Sequence, residues 1–502
     1  MPQTHAPTIR ARFAFTLGAN LFKSLLSFAT GLITARGLGP EAYGSMAFLL
    51  GTCISMRQLL DMGSSTAFFT FLSQRSRSRH FVAYYMYWLA GQFLLVLTVI
   101  GLLFPDVWLN IVWKGEQRSV VVLAFVAAFL QSNLWPTVVQ MGESQRLTRW
   151  VQAIGVGVVL MHLVVVAVLW FFSQLGLYLI FGAIAIEYLA ASWFASTKLH
   201  FEPKAPREET IVTVFREYAR YCLPLIVYSW VGFAYDFADR WLLQNYGGSI
   251  QQAYYSVGAQ FASIALIATT SVMNVFWKEI AEAYHRGDGQ RVATLYRRVS
   301  RILYMGGATV AGFLIPWAED ILHLLLGPRY VGGAAALAIM FLYPVHQSMG
   351  QIGGAMLYAT GRVRVQVTLG IGFMLASIVV SYFVLASPGA FVPGLGLAST
   401  GLAIKVVAMQ FLQVNVIAIL IAKGLGLIFD WHHQIVGLGI AVVGGWGGYV
   451  LSSALVGHYW STPATMAVAG LIYSGFILAA LYALPWLVDM PRFSLANLLS
   501  KR

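Results

Sequence analysis

The sequence predicts an all-α polytopic membrane protein with about fourteen transmembrane helices. Three observations carry this: the 502 residues are 59% hydrophobic and only 10% charged, mean hydropathy is +0.72, and apolar runs recur along the whole chain. A soluble core this apolar could not be wrapped in polar surface. A helix needs about 20 apolar residues to cross a bilayer. The runs are too long and unbroken for barrel strands, and backbone in lipid must satisfy its own hydrogen bonds, so they are helices.

The runs fall at 13–35, 43–72, 81–104, 118–140, 150–172, 175–197, 219–244, 253–277, 299–318, 333–358, 365–387, 395–422, 433–456 and 464–488. Arg10 and Arg12 precede the first, which reads as a spanning helix and not as a cleaved leader. The net charge of +13 would suggest nucleic acid in a soluble chain. With the N-terminus placed in the cytoplasm, however, twenty-four of the thirty-two Lys and Arg residues fall in cytoplasmic segments. Four (Arg36, Lys114, Arg118, Arg329) fall in outer loops and four inside helices. The positive-inside rule therefore accounts for the charge, supports an even helix number with both termini cytoplasmic, and removes the case for nucleic acid. Cys53 and Cys222 lie in or at the edge of apolar runs and imply no disulfide framework.

Two polar connections are long, and both are cytoplasmic in this topology. Residues 198–220 carry Pro203 and Pro206 and then a short amphipathic stretch. Residues 278–301 carry Gly287-Asp288-Gly289 between two helical stretches and read as a basic membrane-surface segment. A weak internal repeat divides the rest. LGPEAYG (38–44) is echoed by NYGGSIQQAYYS (245–256), FPDVWLNIVW (104–113) by IPWAEDILHLLLGPRY (315–330), and MGESQR (141–146) by TGRVRV (360–365). Equivalent elements share an orientation, so the repeat is parallel. The expected division is a six-helix bundle over 1–200, a linker over 201–218, a second six-helix bundle over 219–424, and two added helices with a tail over 425–502.

Those turns, with DMG (61–63), LP (223–224), EIAEAYHRGDGQRV (279–292), LLGPRYVGGAAAL (325–337) and PGLGLASTGLA (393–403), resemble the polysaccharide, or Wzx-like, branch of the multidrug/oligosaccharidyl-lipid/polysaccharide exporter superfamily. The likeness is patchy but runs in order along most of the chain. It implies two six-helix bundles that rock between inward- and outward-open states in a bacterial inner membrane. It also implies a polyprenyl-diphosphate-linked oligosaccharide as substrate, driven by an ion gradient or the membrane potential. Polysaccharide assembly proteins and membrane lipids would be the partners.

Charge inside a bilayer is expensive and usually functional. Lys23, Arg57, Arg240 and Lys405 are the four cations that no loop explains, and a diphosphate headgroup needs fixed positive charge. The competing reading is structural: Arg57 and Asp61, and Asp236 and Arg240, stand at i,i+4 spacing and suit intrahelical salt bridges. Asp61, Asp236, Asp239 and Glu187 are the buried acids, suited to ion coupling or to charge pairing. Glu187 alternatively anchors at the cytoplasmic end. Asp236-Phe-Ala-Asp239 is also half of an aspartate-rich Mg²⁺–diphosphate motif, but it has no second copy. His162 and His346 read as packing residues, and His432-His433 lacks further metal ligands, so no metal or cofactor is expected. Gly350/Gly354 and Gly444/Gly448 give the small-xxx-small spacing of close helix packing. There is no phosphate-binding P-loop and no outer loop long enough for a catalytic domain. A transporter without enzymatic activity is therefore expected. The rival transport reading is a drug/cation antiporter of the same superfamily, which suits the acids but not the net-basic cavity.

Overall fold

The computed structural model describes residues 9–201, 210–266, 276, 279–426, 429, 431–457 and 460–489, with side chains from residue 15. Pro203 and Pro206 of the linker, Lys204, Arg207 and Lys278, the later part of the eighth run and the tail after 489 lie outside these residues, as do the side chains of Arg10 and Arg12. The described residues form helices and turns, without strands. Nine helical segments among them are long and apolar enough to cross a membrane, matching the third to sixth, ninth and eleventh to fourteenth predicted runs. The other five run through helix kinks or, for the eighth, beyond the described residues. The first and second merge in α1 (Ile9–Asp61), the seventh and eighth in α10 (Ile226–Ala265), and the tenth is divided between two shorter helices.

Contacts divide the chain into two compact units, Met1–Ala253 with Gly389–Pro393, and Tyr254–Pro388 with Gly394–Arg502. In the first unit α1 breaks at Gly39, whose φ of 75° and ψ of 170° are open to glycine almost alone, and Pro40 then restarts the helix. After a second break at Met62-Gly63 the chain continues as α2 (Ser64–Gln74) and α3 (Arg79–Thr98). The short helix α4 (Asp106–Trp113) follows Pro105. Next come α5 (Arg118–Phe129) and α6 (Trp135–Ser144), joined by one wide turn over Leu130–Leu134. Pro136 has no N–H to give to that turn, which is why the helix widens there. The hairpin α7 (Thr148–Phe171) and α8 (Leu177–Ser196) completes the first repeat. Its core stacks Phe68 on Tyr85 at 4.0 Å between ring centres, with Phe81 and Tyr218 beside them.

Helix α9 (Ile211–Cys222) is amphipathic, capped by Thr210 Oγ1 accepting from Thr213 N. Val214 is buried, whereas Ile211, Val212 and Phe215 are exposed. Arg75 Nη2 and Arg77 Nη1 each lie 3.0 Å from the carboxylate of Glu217, and the Arg77 guanidinium stacks 4.4 Å from the Phe81 ring centre.

The second unit holds α11 (Gly289–Leu314), which is capped by Asp288, and the short helix α12 (Ala318–Leu326) after Pro316. The tenth run forms α13 (Ala334–Met340) and α14 (Tyr343–Ala359), with Pro344 in the first turn of the latter. Then follow α15 (Val363–Leu385), α16 (Ala398–Leu425), α17 (Trp431–Val456) and α18 (Thr462–Ala483). A Cβ on Gly445 would stand 1.9 Å from the Gly312 carbonyl oxygen, so α17 touches α11 backbone to backbone; on its other side Gly444 packs under Phe476 of α18.

The repeat is visible in the backbone itself. Gly248 (φ 76°, ψ −179°) has the conformation of Gly39, the short helices after Pro105 and Pro316 match, and Arg146 and Gly361 both take positive φ at equivalent turns.

Candidate functional site

The charged residues singled out from the sequence gather mainly where the later half of α1 meets the first half of α10, inside the first unit. Small residues make the approach close. A Cβ on Gly44 would overlap the Ser249 carbonyl, and one on Gly232 would strike Gln58 Oε1. Ser45 and Ser249 face each other with their hydroxyl oxygens 3.2 Å apart. Between these points Gln58 Nε2 donates to Asp236 Oδ2 at 2.5 Å. At the end of the seam near α4, Trp241 Nε1 donates to the Ile111 carbonyl, and Lys114 Nζ donates to Asn245 Oδ1 at 2.6 Å while lying 4.2 Å over the Trp241 ring. Partial burial holds the Lys114 amine below its ordinary pKa.

Neither expected intrahelical salt bridge forms. Arg240 lies across Gly51, where a Cβ would stand 2.4 Å from its Nε, and that buried Nε has no hydrogen-bond partner among the described residues. Arg57 is half-buried. Neither arginine makes an ion pair among the described residues. Asp61 is taken by the next helix: its carboxylate accepts from Ser64 Oγ at 2.9 Å, Ser65 N at 2.7 Å and Ser65 Oγ at 2.8 Å. It therefore ties down the first turn of α2 across the Met62-Gly63 break, with Gly63 as the N-cap residue, and makes these contacts in place of a pairing with Arg57. Asp236 pairs with Gln58 instead of Arg240, and Asp239 is buried on the same helix.

The remaining candidates stand elsewhere. Lys23 Nζ donates to Gln152 Oε1 at 2.8 Å, and Gln152 Nε2 donates in turn to Glu143 Oε1 at 3.1 Å, so Lys23 is bound into α6 and α7. Lys405 belongs to the second unit, 1% exposed on α16, and is closed to a headgroup in this conformation. Glu187 is 3% exposed and so is no solvated anchor; His162 Nδ1 of α7 lies 2.8 Å from its Oε2. His162 thus stands against the buried acid, within ion-pair distance but without hydrogen-bond geometry. The amides Gln58 and Gln152 escaped a reading that tracked charge alone. Gln58 carried a signal, an amide between Arg57 and Asp61, whereas Gln152 meets Lys23 from 129 residues away and carried none. No group of three or more His, Cys, Asp or Glu able to hold a metal occurs among the described residues.

Chemically, the seam sets the guanidinium groups of Arg57 and Arg240, which make no ion pair among the described residues, on the same two helices as Asp61, Asp236 and Asp239. A guanidinium with an open donor can take an anion's oxygen.

No protein-family model and no curated protein matches the sequence. Solved structures do match the fold. The lipid II flippase MurJ in an inward closed conformation superposes with a TM-score of 0.69, covering 94% of this chain and 99% of that one at 11% identity. An inward-facing multidrug resistance MATE family transporter of the MOP superfamily superposes at 0.60, over 80% of this chain and 94% of that one, at 15% identity. A MOP superfamily transporter from Pyrococcus furiosus, described as having a binding pocket of reversed polarity, gives 0.55 over 83% and 95%, at 14% identity. The chain has the all-helical fold of the MOP superfamily transporters.

Proposed function

We propose that the protein is a flippase of the Wzx-like type. It carries a polyprenyl-diphosphate-linked oligosaccharide from the inner to the outer leaflet of a bacterial cytoplasmic membrane for surface polysaccharide assembly. The observation that carries this reading is the pair Arg57 and Arg240, two intramembrane cations that form no ion pair among the described residues. A buried charge without a partner is strongly disfavoured unless a ligand supplies one. A diphosphate supplies it, with oxygens that match the guanidinium fork. The likeness to a lipid II flippase over nearly the full length of both chains favours a lipid-linked cargo. Transport of this kind makes and breaks no bond, and an ion gradient or the membrane potential drives it.

The second reading, a drug/cation antiporter, draws on the likeness to MATE transporters and on the buried Glu187. Proteoliposomes separate the two. Purified protein is expected to expose a fluorescent polyprenyl-diphosphate sugar in the opposite leaflet. R57Q and R240Q are expected to lower that rate at least tenfold, with unchanged elution from a sizing column. Transport of an organic cation, unaffected by R57Q, would instead support the antiporter.

A further inference from the structure

The second unit contains a cavity that the proposed transport site does not use. It has a volume of about 490 Å³ and opens among α11, α14, α16 and α17, with Arg297 and Arg301 from α11 and His432 and Gln434 from the start of α17 among its walls. We propose that this cavity binds the phosphate-bearing headgroup of an anionic membrane lipid.

Charge comes first. Arg297 is half exposed and Arg301 mostly enclosed, and both meet one carboxylate, Asp489, at 3.3 and 3.7 Å. Two guanidinium groups facing a single acid leave the site net positive. Asp489 is delivered by the turn after α18, which is tied down by three further contacts. Arg301 Nη1 donates to the Trp486 carbonyl at 2.6 Å, Arg298 Nε donates to the Asp489 carbonyl at 3.3 Å, and His433 Nε2 lies 2.9 Å from the Leu487 carbonyl. The carboxylate is thus an internal stand-in for an anion on the arginine face.

The second observation concerns place. The cavity lies at the first turns of α17 and the last turns of α16, where two helices of membrane-spanning length begin and end. Exposed Trp431, stacked on His432 at 3.7 Å, and partly exposed Trp486 flank it. Tryptophans at helix ends mark the headgroup level of a bilayer, and basic pockets between spanning helices there fit lipid phosphates. The third is hydrogen-bonding capacity. Gln434 is buried on the cavity wall and its Oε1 accepts no hydrogen bond among the described residues, an unmet acceptor that a small side-chain rotation would turn to a headgroup hydroxyl. The volume suits a phosphodiester with a small polar substituent.

The proposal does not depend on the flippase reading, because it is read from lipid bound to purified protein and not from transport. Protein purified from nanodiscs containing phosphatidylglycerol and phosphatidylcholine is analysed by native mass spectrometry. One retained phosphatidylglycerol per chain is expected, falling at least fivefold in R297Q/R301Q and weakening as salt rises. D489N is expected to retain more lipid than the parent, because the competing carboxylate is gone. A purely structural role for these residues predicts lower stability in both variants and no opposite signs. As a variant that spares the Asp489 contacts, H432E is expected to lose lipid with an unchanged melting temperature. Displacement of the lipid by millimolar inorganic phosphate would support the same anion site with free phosphate as its source. Equal retention of phosphatidylglycerol by the parent, R297Q/R301Q and H432E overturns the proposal.

Discussion

At the scale of single residues, the sequence located the intramembrane charges but not their partners. Spacing of i,i+4 suggested Arg57–Asp61 and Asp236–Arg240 bridges, yet one backbone break and one neighbouring helix redirect both acids. Asp61 is the last residue of α1 and still stands one turn after Arg57, but Met62 and Gly63 take positive φ and bring the start of α2 back over its carboxylate, which accepts from Ser65 N and the hydroxyls of Ser64 and Ser65 instead. D61A is expected to cost about 1–2 kcal/mol through the lost tie to the first turn of α2, read as a lower melting temperature in detergent. D61N and D61S should restore most of it, whereas an ion-carrying Asp61 would make D61N stable and inactive. Glu187 poses a different case. Its contact with His162 crosses from α8 to α7, so no local spacing announces it. H162A removes the imidazole that stands against the buried Glu187 carboxyl and is expected to lower the melting temperature, measured by thermal unfolding. The double variant H162A/E187Q should recover much of that loss, and a double variant no better than H162A would show that the pair does not couple.

At the scale of elements, more was legible. The Gly-Pro turn at 39–40 and the Gly-Gly turn at 247–248 share a left-handed break, because each repeat turns the chain through a positive φ that glycine adopts without strain. Gly444/Gly448 correctly signalled close helix packing. Gly445, one residue away, makes the closer approach, and its partner Gly312 is 133 positions earlier. Helix α9 was visible as an amphipathic stretch, but its fastening was not, since Arg77 read as one of many cytoplasmic basic residues. Its side chain is 2% exposed, wedged between Glu217 and the Phe81 ring. R77A is expected to free α9 from the helix ends it rests on. Hydrogen exchange over 211–222 should rise at least tenfold while exchange in α7 and α8 stays unchanged. R75A, whose arginine is half exposed, should raise it far less, as befits a screened surface pair. Equal effects of the two variants would show that burial of Arg77 contributes nothing to the fastening.

For the whole molecule, hydropathy revealed the fold class because lipid imposes one rule on every spanning segment. It could not reveal which helices share polar contacts, since those are made between distant stretches. The seam is the consequential example. Ser45 to Ser249, Gln58 to Asp236, Lys114 to Asn245 and Trp241 to Ile111 all join the first sequence repeat to the second, and all lie within the first compact unit. These are few, polar and partly solvated bonds across a glycine-lined contact, individually about 1 kcal/mol. A seam of that strength can open on the timescale of transport, whereas the aromatic core around Phe68 and Tyr85 cannot do so cheaply. If the two repeats rock against each other to expose Arg57 and Arg240 alternately, the seam must part in each cycle. A covalent tie tests this. Ser45 and Ser249 face each other across the seam with hydroxyls 3.2 Å apart, which makes them the pair at which to try a disulfide. In a background with Cys53→Ala and Cys222→Ser, S45C/S249C is expected to cross-link under mild oxidation and to lose flipping at least tenfold. Reductant should return the rate to that of the background. Undiminished flipping by fully cross-linked protein would mean that the α1–α10 seam stays closed throughout the cycle. The anion would then have to reach the arginines without the repeats separating there.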